Sequence, residues 1–187
     1  MEDTPLVNGE MVLEQVYVSD RNMIHELEEK GYGEIDQKKL LLKHFEALYL
    51  LYAKRLILKK GKKEIDFDSF MGICQKNNSE ILTKFLIYRD LRNRGYVVKD
   101  GFGFGSDFRV YGRGHFREKG AKFLIFGLNE GQQEKMGNLQ KKIEDITQMG
   151  KEPIIAVIER RGEVIYYKIN RIDFQKNNSL SEESFEL

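Results

Sequence analysis

Cysteine is almost missing from this chain: Cys74 is the one thiol in 187 residues. A lone thiol builds neither a disulfide framework nor a cysteine metal cage. Charge of one sign is missing too. Lys and Arg number 31 against 30 Asp and Glu, so the chain as a whole carries no polyanion signal. No apolar run nears the ~18 residues that span a bilayer, and the sequence does not open on a leader-like segment. The expectation is a soluble, cytoplasmic protein with no membrane partner. HExxH, paired cysteines and clustered carboxylates are absent, so no metal and no cofactor are expected. The nucleophile elbow GxSxG is absent as well. The glycines Gly101, Gly103 and Gly105 fit neither a dinucleotide fingerprint nor a GK[ST] loop, and no helix follows them. They read as a turn between strands.

What is present is a core-forming composition, 41% hydrophobic, in a chain long enough for one domain or two small ones. Asn8-Gly9 reads as a hairpin turn, followed by strand positions Met11, Leu13, Val16 and Val18. Ser19-Asp20 can cap a helix over about 21–29. Leu40, Leu41, Phe45, Leu48, Tyr49 and Tyr52 predict a helix over 40–54. A short strand at 56–58 ends in the Lys59–Lys63 turn. Asp66 or Asp68 can cap the next helix, and Ser79 the long helix after it. The chain divides near residue 80: 1–80 a mixed hairpin-and-helix unit, 81–174 an αβ unit, 175–187 a polar, acidic tail expected to be mobile. In the second unit 121–126 and 153–158 read as buried strands. Residues 131–137 read as a loop, 139–149 as a helix and 163–169 as a hairpin partner. The predicted fold class is α+β.

The residues 88–111, YRDLRNRGYVVKDGFGFGSDFRVY, organise the second unit. A helix carrying Phe85 and Tyr88 stops at Gly95, because glycine takes a left-handed C-terminal turn without penalty. Two strands and a turn follow, ending on Tyr111. From Lys84 to Lys122 there are ten Lys and Arg against four Asp and Glu, a local surplus of six. A basic unit that ends on a tyrosine suits a bound polyanion.

RNA carries its own nucleophile, the 2′-hydroxyl. Cleavage needs a base for that proton, an acid for the leaving 5′-oxygen and a cation for the developing charge. Tyr, His and Lys can fill those roles. Tyr111 read alone is a strand-end aromatic and Lys151 a solvated loop lysine. His25 and His44 read as helix-surface or packing residues. His115 follows Gly112-Arg113-Gly114, and Arg113 is the first choice for a phosphate contact.

The segments 31–42, 45–52, 88–111 and 154–167 together resemble the archaeal tRNA-splicing (tRNA-intron) endonucleases over nearly the whole chain. The resemblance implies an N-terminal mixed domain and a C-terminal nuclease-like α/β domain with a mixed central sheet. It implies cleavage of intron-containing precursor tRNA at a bulge-helix-bulge, without metal, to 2′,3′-cyclic phosphate and 5′-hydroxyl ends. It implies a homodimer or tetramer, or a heterotetramer with a second subunit. The family's catalytic tyrosine falls on Tyr111 and its lysine on Lys151. Its histidine falls at Gly120/Ala121, which leaves His115 as the nearby imidazole. Where the family places a base-clamping arginine this chain has Glu144, with Lys141 and Lys142 close by. Two readings follow: a catalytic endoribonuclease using Tyr111, His115 and Lys151, or a non-catalytic subunit that positions RNA and assembles with a catalytic partner.

Overall fold

The computed structural model of the protein describes residues 4–101, 105–129 and 136–170. Strands β1 (Val7–Val12) and β2 (Gln15–Val18) form the expected hairpin, but not about Asn8-Gly9. The turn is Leu13-Glu14, at φ 48° and 67°. Gly9 lies inside β1, where a Cβ would stand 2.9 Å from Leu56 Cδ1. Glycine is there for close packing between strands.

Helix α1 (Arg21–Glu29) starts on Asp20, whose carboxylate accepts from the Asn22 and Met23 N–H groups. Strands β3 (Glu34–Asp36) and β4 (Lys39–Leu42) pair through a Gln37-Lys38 turn. The helix expected from Leu40 therefore begins later, as α2 (His44–Tyr52). Leu40 and Leu42 are buried while Leu41 between them is half-buried, the period-two alternation of a strand.

Strands β5 (Leu56–Lys60) and β6 (Lys63–Ile65) turn about Gly61. Asp66 caps α3 (Phe67–Asn77) by accepting from Ser69 N–H. Helix α4 (Ile81–Asn93) starts from Glu80 with no side-chain cap, in place of the expected Ser79 cap; Asn78 Oδ1 accepts from Glu80 N–H instead. Gly95, at φ +80°, ends that helix as expected.

The second unit continues as β7 (Val97–Asp100), β8 (Phe108–Tyr111), β9 (Phe123–Asn129), α5 (Met136–Gln148), β10 (Glu152–Ile158) and β11 (Val164–Lys168). Gly137, expected in a loop, falls within α5. The expected tail from Gln175, the 131–135 part of that loop, and Gly103 lie outside the described residues.

Two sheets result. The first has the order β3-β4-β2-β1-β5-β6 and the second β11-β10-β9-β8-β7. In the second, β9 and β10 are parallel while the other pairs are antiparallel, so the central sheet is mixed and the fold is α+β as expected.

One core runs beneath both sheets. Phe45 of α2 packs on Tyr88 of α4 at 4.9 Å and edge-on to Phe108 of β8 at 5.1 Å. Burying one such ring is worth ~1.5–3 kcal/mol. A polar seam crosses the same junction. Buried Glu46 accepts from the Gly33 and Lys43 N–H groups, and Lys99 Nζ donates to Gly33 O at 2.6 Å. Burial pushes the Glu46 carboxyl up and the Lys99 ammonium down; their mutual attraction opposes both shifts. The Arg92 guanidinium lies 3.9 Å over the Tyr32 ring and donates to Lys30 O. The second sheet is thereby held against the first unit, with α4 on one face and α5 on the other. Phe108, Val110 and Ile125 join the shared core, while Leu124 and Phe126 pack with Ile146 of α5.

Candidate active site

The register of the second sheet brings distant residues together. Val97 pairs with Tyr111, Val110 with Phe123, and Phe123 with Glu152. One step further along, Tyr111, Lys122 and Lys151 fall in a single row. Two backbone bonds hold that row: Lys122 N–H to Val110 O at 2.8 Å and Glu152 N–H to Lys122 O at 3.0 Å. Neighbouring strands lie ~4.8 Å apart, so the Tyr111 and Lys151 backbones stand about 10 Å apart, two strands across. Phe108 and Val110 point into the shared core; by alternation Arg109 and Tyr111 point to the other face.

Lys151 reaches this row because α5 stops just before it. Gly150 turns the chain at φ +69°, and Lys151 N–H donates back to Ile146 O. The Lys151 ammonium then lies along the entrance to β9. It donates to Ala121 O at 2.6 Å, and a Cβ on Gly120 would stand 3.6 Å from it. Gly120 and Ala121 are the residues onto which the resemblance projects the family's histidine. Ala121 is buried and offers a backbone carbonyl where that imidazole is expected.

The Tyr111 ring is half-buried and meets Phe116 edge-on, with centroids 5.0 Å apart and planes at 89°. Phe116 in turn rests on Gly31, where a Cβ would stand 3.3 Å from the ring and 2.3 Å from Val97 Cγ1. Gly31 takes φ +78°, so both its conformation and its surroundings require glycine. Arg117 adds an ion pair to Glu29 at 3.6 Å. The segment after Tyr111 is thus clamped between that tyrosine and the end of α1. Sequence reasoning missed Phe116; its signal was a large aromatic inside a polar stretch.

His115 sits in the same segment. Its N–H donates to Gly112 O and its ring lies against Gly112, the residue after Tyr111, while Nδ1 stands 3.1 Å from Glu118 Oε2. The side chain is 47% exposed. Arg113 lays its guanidinium 4.9 Å over the Tyr96 ring, and Lys122 its ammonium 5.0 Å over Phe123. Tyr111, His115, Arg113 and Lys151 are therefore gathered at one end of the sheet.

Lys141 and Lys142 are placed differently. Lys141 is exposed on α5. Lys142 lies 5.4 Å over Phe126 and beside Gly105, at the opposite end of the sheet, where β8 begins. Glu144 accepts from Gln140 on its own helix at 3.0 Å. Among the described residues no three His, Cys, Asp or Glu side chains are grouped to hold a metal, and no helix is long and apolar enough to cross a membrane.

Comparison with known proteins matches both halves of the chain. The family described as "tRNA intron endonuclease, N-terminal domain" matches residues 7–71, and "tRNA intron endonuclease, catalytic C-terminal domain" matches residues 81–166. The tRNA-splicing endonuclease of Methanococcus vannielii is 34% identical over 158 residues, 83% of this chain and 89% of that protein. The Thermococcus kodakarensis protein of the same name is 31% identical over 162 residues, 86% of this chain and 95% of that protein.

Proposed function

The chain belongs to the tRNA intron endonuclease family, and we propose that it cuts intron-containing precursor tRNA with Tyr111 and Lys151 as its central pair. The observation that carries this reading is the sheet register that sets these two residues in one row, on strands far apart in sequence.

The substrate supplies the nucleophile. Its 2′-oxygen attacks the adjacent phosphorus, the P–O5′ bond breaks, and a 2′,3′-cyclic phosphate and a 5′-hydroxyl result. Tyr111 is the general base that takes the 2′-hydroxyl proton. Lys151 has three donors, and the bond to Ala121 O uses one. That bond holds the ammonium in place and leaves two donors for a non-bridging phosphate oxygen, where negative charge develops. The leaving 5′-oxygen needs a proton. His115 is the imidazole nearest Tyr111 along the chain, and it serves once it releases Glu118 and turns toward the phosphate. No step needs a metal. The reading also includes cytoplasmic location and an isologous dimer through β11. That strand ends the sheet and exposes Ile165 and Tyr167, and an open edge pairs readily with a second copy.

The second reading rests on Ala121. A buried methyl stands where the family's imidazole is expected, which suits a subunit that positions RNA beside a catalytic partner chain. Incubating the purified chain alone with precursor tRNA in EDTA tests both. Cleavage to cyclic-phosphate ends is expected, slowed several-fold in His115→Ala. An inactive chain that gains activity only with a second subunit would hand the case to the positioning role.

A further inference from the structure

A cavity of about 210 Å³ opens on the α4 face of the second sheet, directly behind Tyr111. Val110, Phe123 and Ile125 floor it, Tyr96 and Tyr166 wall it, and Arg94 stands beside them. The floor is apolar and the walls are aromatic. Tyr166 is held rigid: its hydroxyl donates to Asp90 at 2.8 Å, and Arg94 donates to the same carboxylate at 2.7 Å. The Tyr111–Lys151 chemistry uses none of these residues.

Two cations border the cavity, and of these Lys122 is already ion-paired to Glu152 at 3.6 Å, so Arg113 marks the ligand. The Arg113 guanidinium stacks on Tyr96 and the Lys122 ammonium on Phe123, so each covers the ring of a lining residue. Arg113 is two residues from Tyr111, and Lys122 shares its row. Aromatic faces with cations over them suit a flat heterocycle flanked by negative charge. Drug-sized pockets run ~300–1,000 Å³, so this cavity takes a small planar group. We infer that it receives one unpaired base of the RNA, stacked on Tyr96 and Phe123, with the neighbouring phosphate on Arg113. This rests on the reading of the chain as an RNA-cleaving protein. It adds a base-binding site on the sheet face opposite the reacting groups, so that the strand wraps around the end of β8.

The experiment measures binding of a bulge-helix-bulge RNA and of a series made abasic at one bulge position each. Base stacking on an aromatic side chain is worth ~1–3 kcal/mol, so Tyr96→Leu should weaken the intact RNA roughly ten-fold. Against the RNA that lacks the recognised base, Tyr96→Leu should bind as the parent does. Tyr96→Phe, which keeps the ring, should bind as the parent does throughout. Equal loss on every RNA, or no loss on any, overturns the proposal. So does loss of a dimer in Tyr96→Leu by sedimentation with no dependence on the base removed, since a second copy would then fill the cavity. A parent chain that binds no precursor RNA defeats the proposed function instead. The cavity is then tested with 2-aminopurine riboside: saturable quenching that Tyr96→Leu abolishes sustains it, and its absence overturns it.

Discussion

The two ends of the second sheet carry similar residues and use them differently. At the end where β8 begins, Lys84 pairs with Asp107 at 3.2 Å, and Asp107 also accepts from Gly127 N–H at 2.8 Å. Lys142 lies over Phe126 at that end. Asp107 works as a structural clasp there, tying α4 to β9. At the other end, Arg113 lies over the Tyr96 ring and Lys151 is held by a backbone carbonyl, while Lys122, over Phe123, is also ion-paired to Glu152 at 3.6 Å. Arg113 is exposed, and the Lys122 side chain is 58% exposed. A cation bound by a carboxylate is already neutralised, whereas one resting on a ring or a carbonyl keeps its charge for an incoming anion. A local surplus of basic residues is therefore no site by itself; what each cation rests on, and whether it stands near Tyr111, decide.

The comparison breaks first at Lys151. Lys151→Ala should slow cleavage ~100-fold or more, and Tyr111→Phe comparably, with RNA affinity nearly unchanged in both. Single-turnover rates beside filter-binding affinities separate the two effects, and parental cleavage by Lys151→Ala would sink the catalytic assignment. Phe116→Ala comes next. Removing the ring that holds Tyr111 edge-on should cost about ten-fold in rate, since slight misplacement of a reacting group is expensive. Phe116→Tyr should restore most of it; a loss in affinity in place of rate would make Phe116 an RNA contact.

Arg113→Ala sharpens the contrast more gently. Binding should weaken a few-fold, and the slope of log affinity against log salt should fall by about 1, as expected for one lost phosphate contact. An unchanged slope means that Arg113 meets no phosphate. The smallest effect is expected at the far end. Lys142→Ala should leave cleavage and salt slope unaltered and cost at most ~1 kcal/mol in thermal unfolding, the scale of an exposed cation–π contact. A large loss of RNA affinity there would show that the RNA reaches both ends of the sheet.

Much of this molecule was legible before its structure. Asp20 and Asp66 cap the helices that follow them, and Gly95 stops α4, because caps and left-handed turns depend on residues adjacent in sequence. The buried strands β9 and β10 read directly from their apolar runs. Errors came where local patterns have two uses. Asn8-Gly9 has hairpin chemistry, yet the glycine serves the close approach of Leu56, a contact visible only across strands. Leu40-Leu41-Leu42 fits a helix as well as a strand, and pairing with β2 and β3 decided for the strand.

The site divides along the same line. By itself the sequence determined which residue types are available: a strand-end tyrosine, a lysine before a buried strand, an arginine-rich approach, and no histidine at Gly120/Ala121. Only the tertiary structure decided that Tyr111 and Lys151 share a row, that Phe116 bridges Tyr111 to Gly31, and that Lys142 belongs to the opposite end. The physical reason is register. Strand pairing is set by backbone hydrogen bonds and by which face must be buried, and a slip of one residue would turn Tyr111 into the core and Val110 toward the other face.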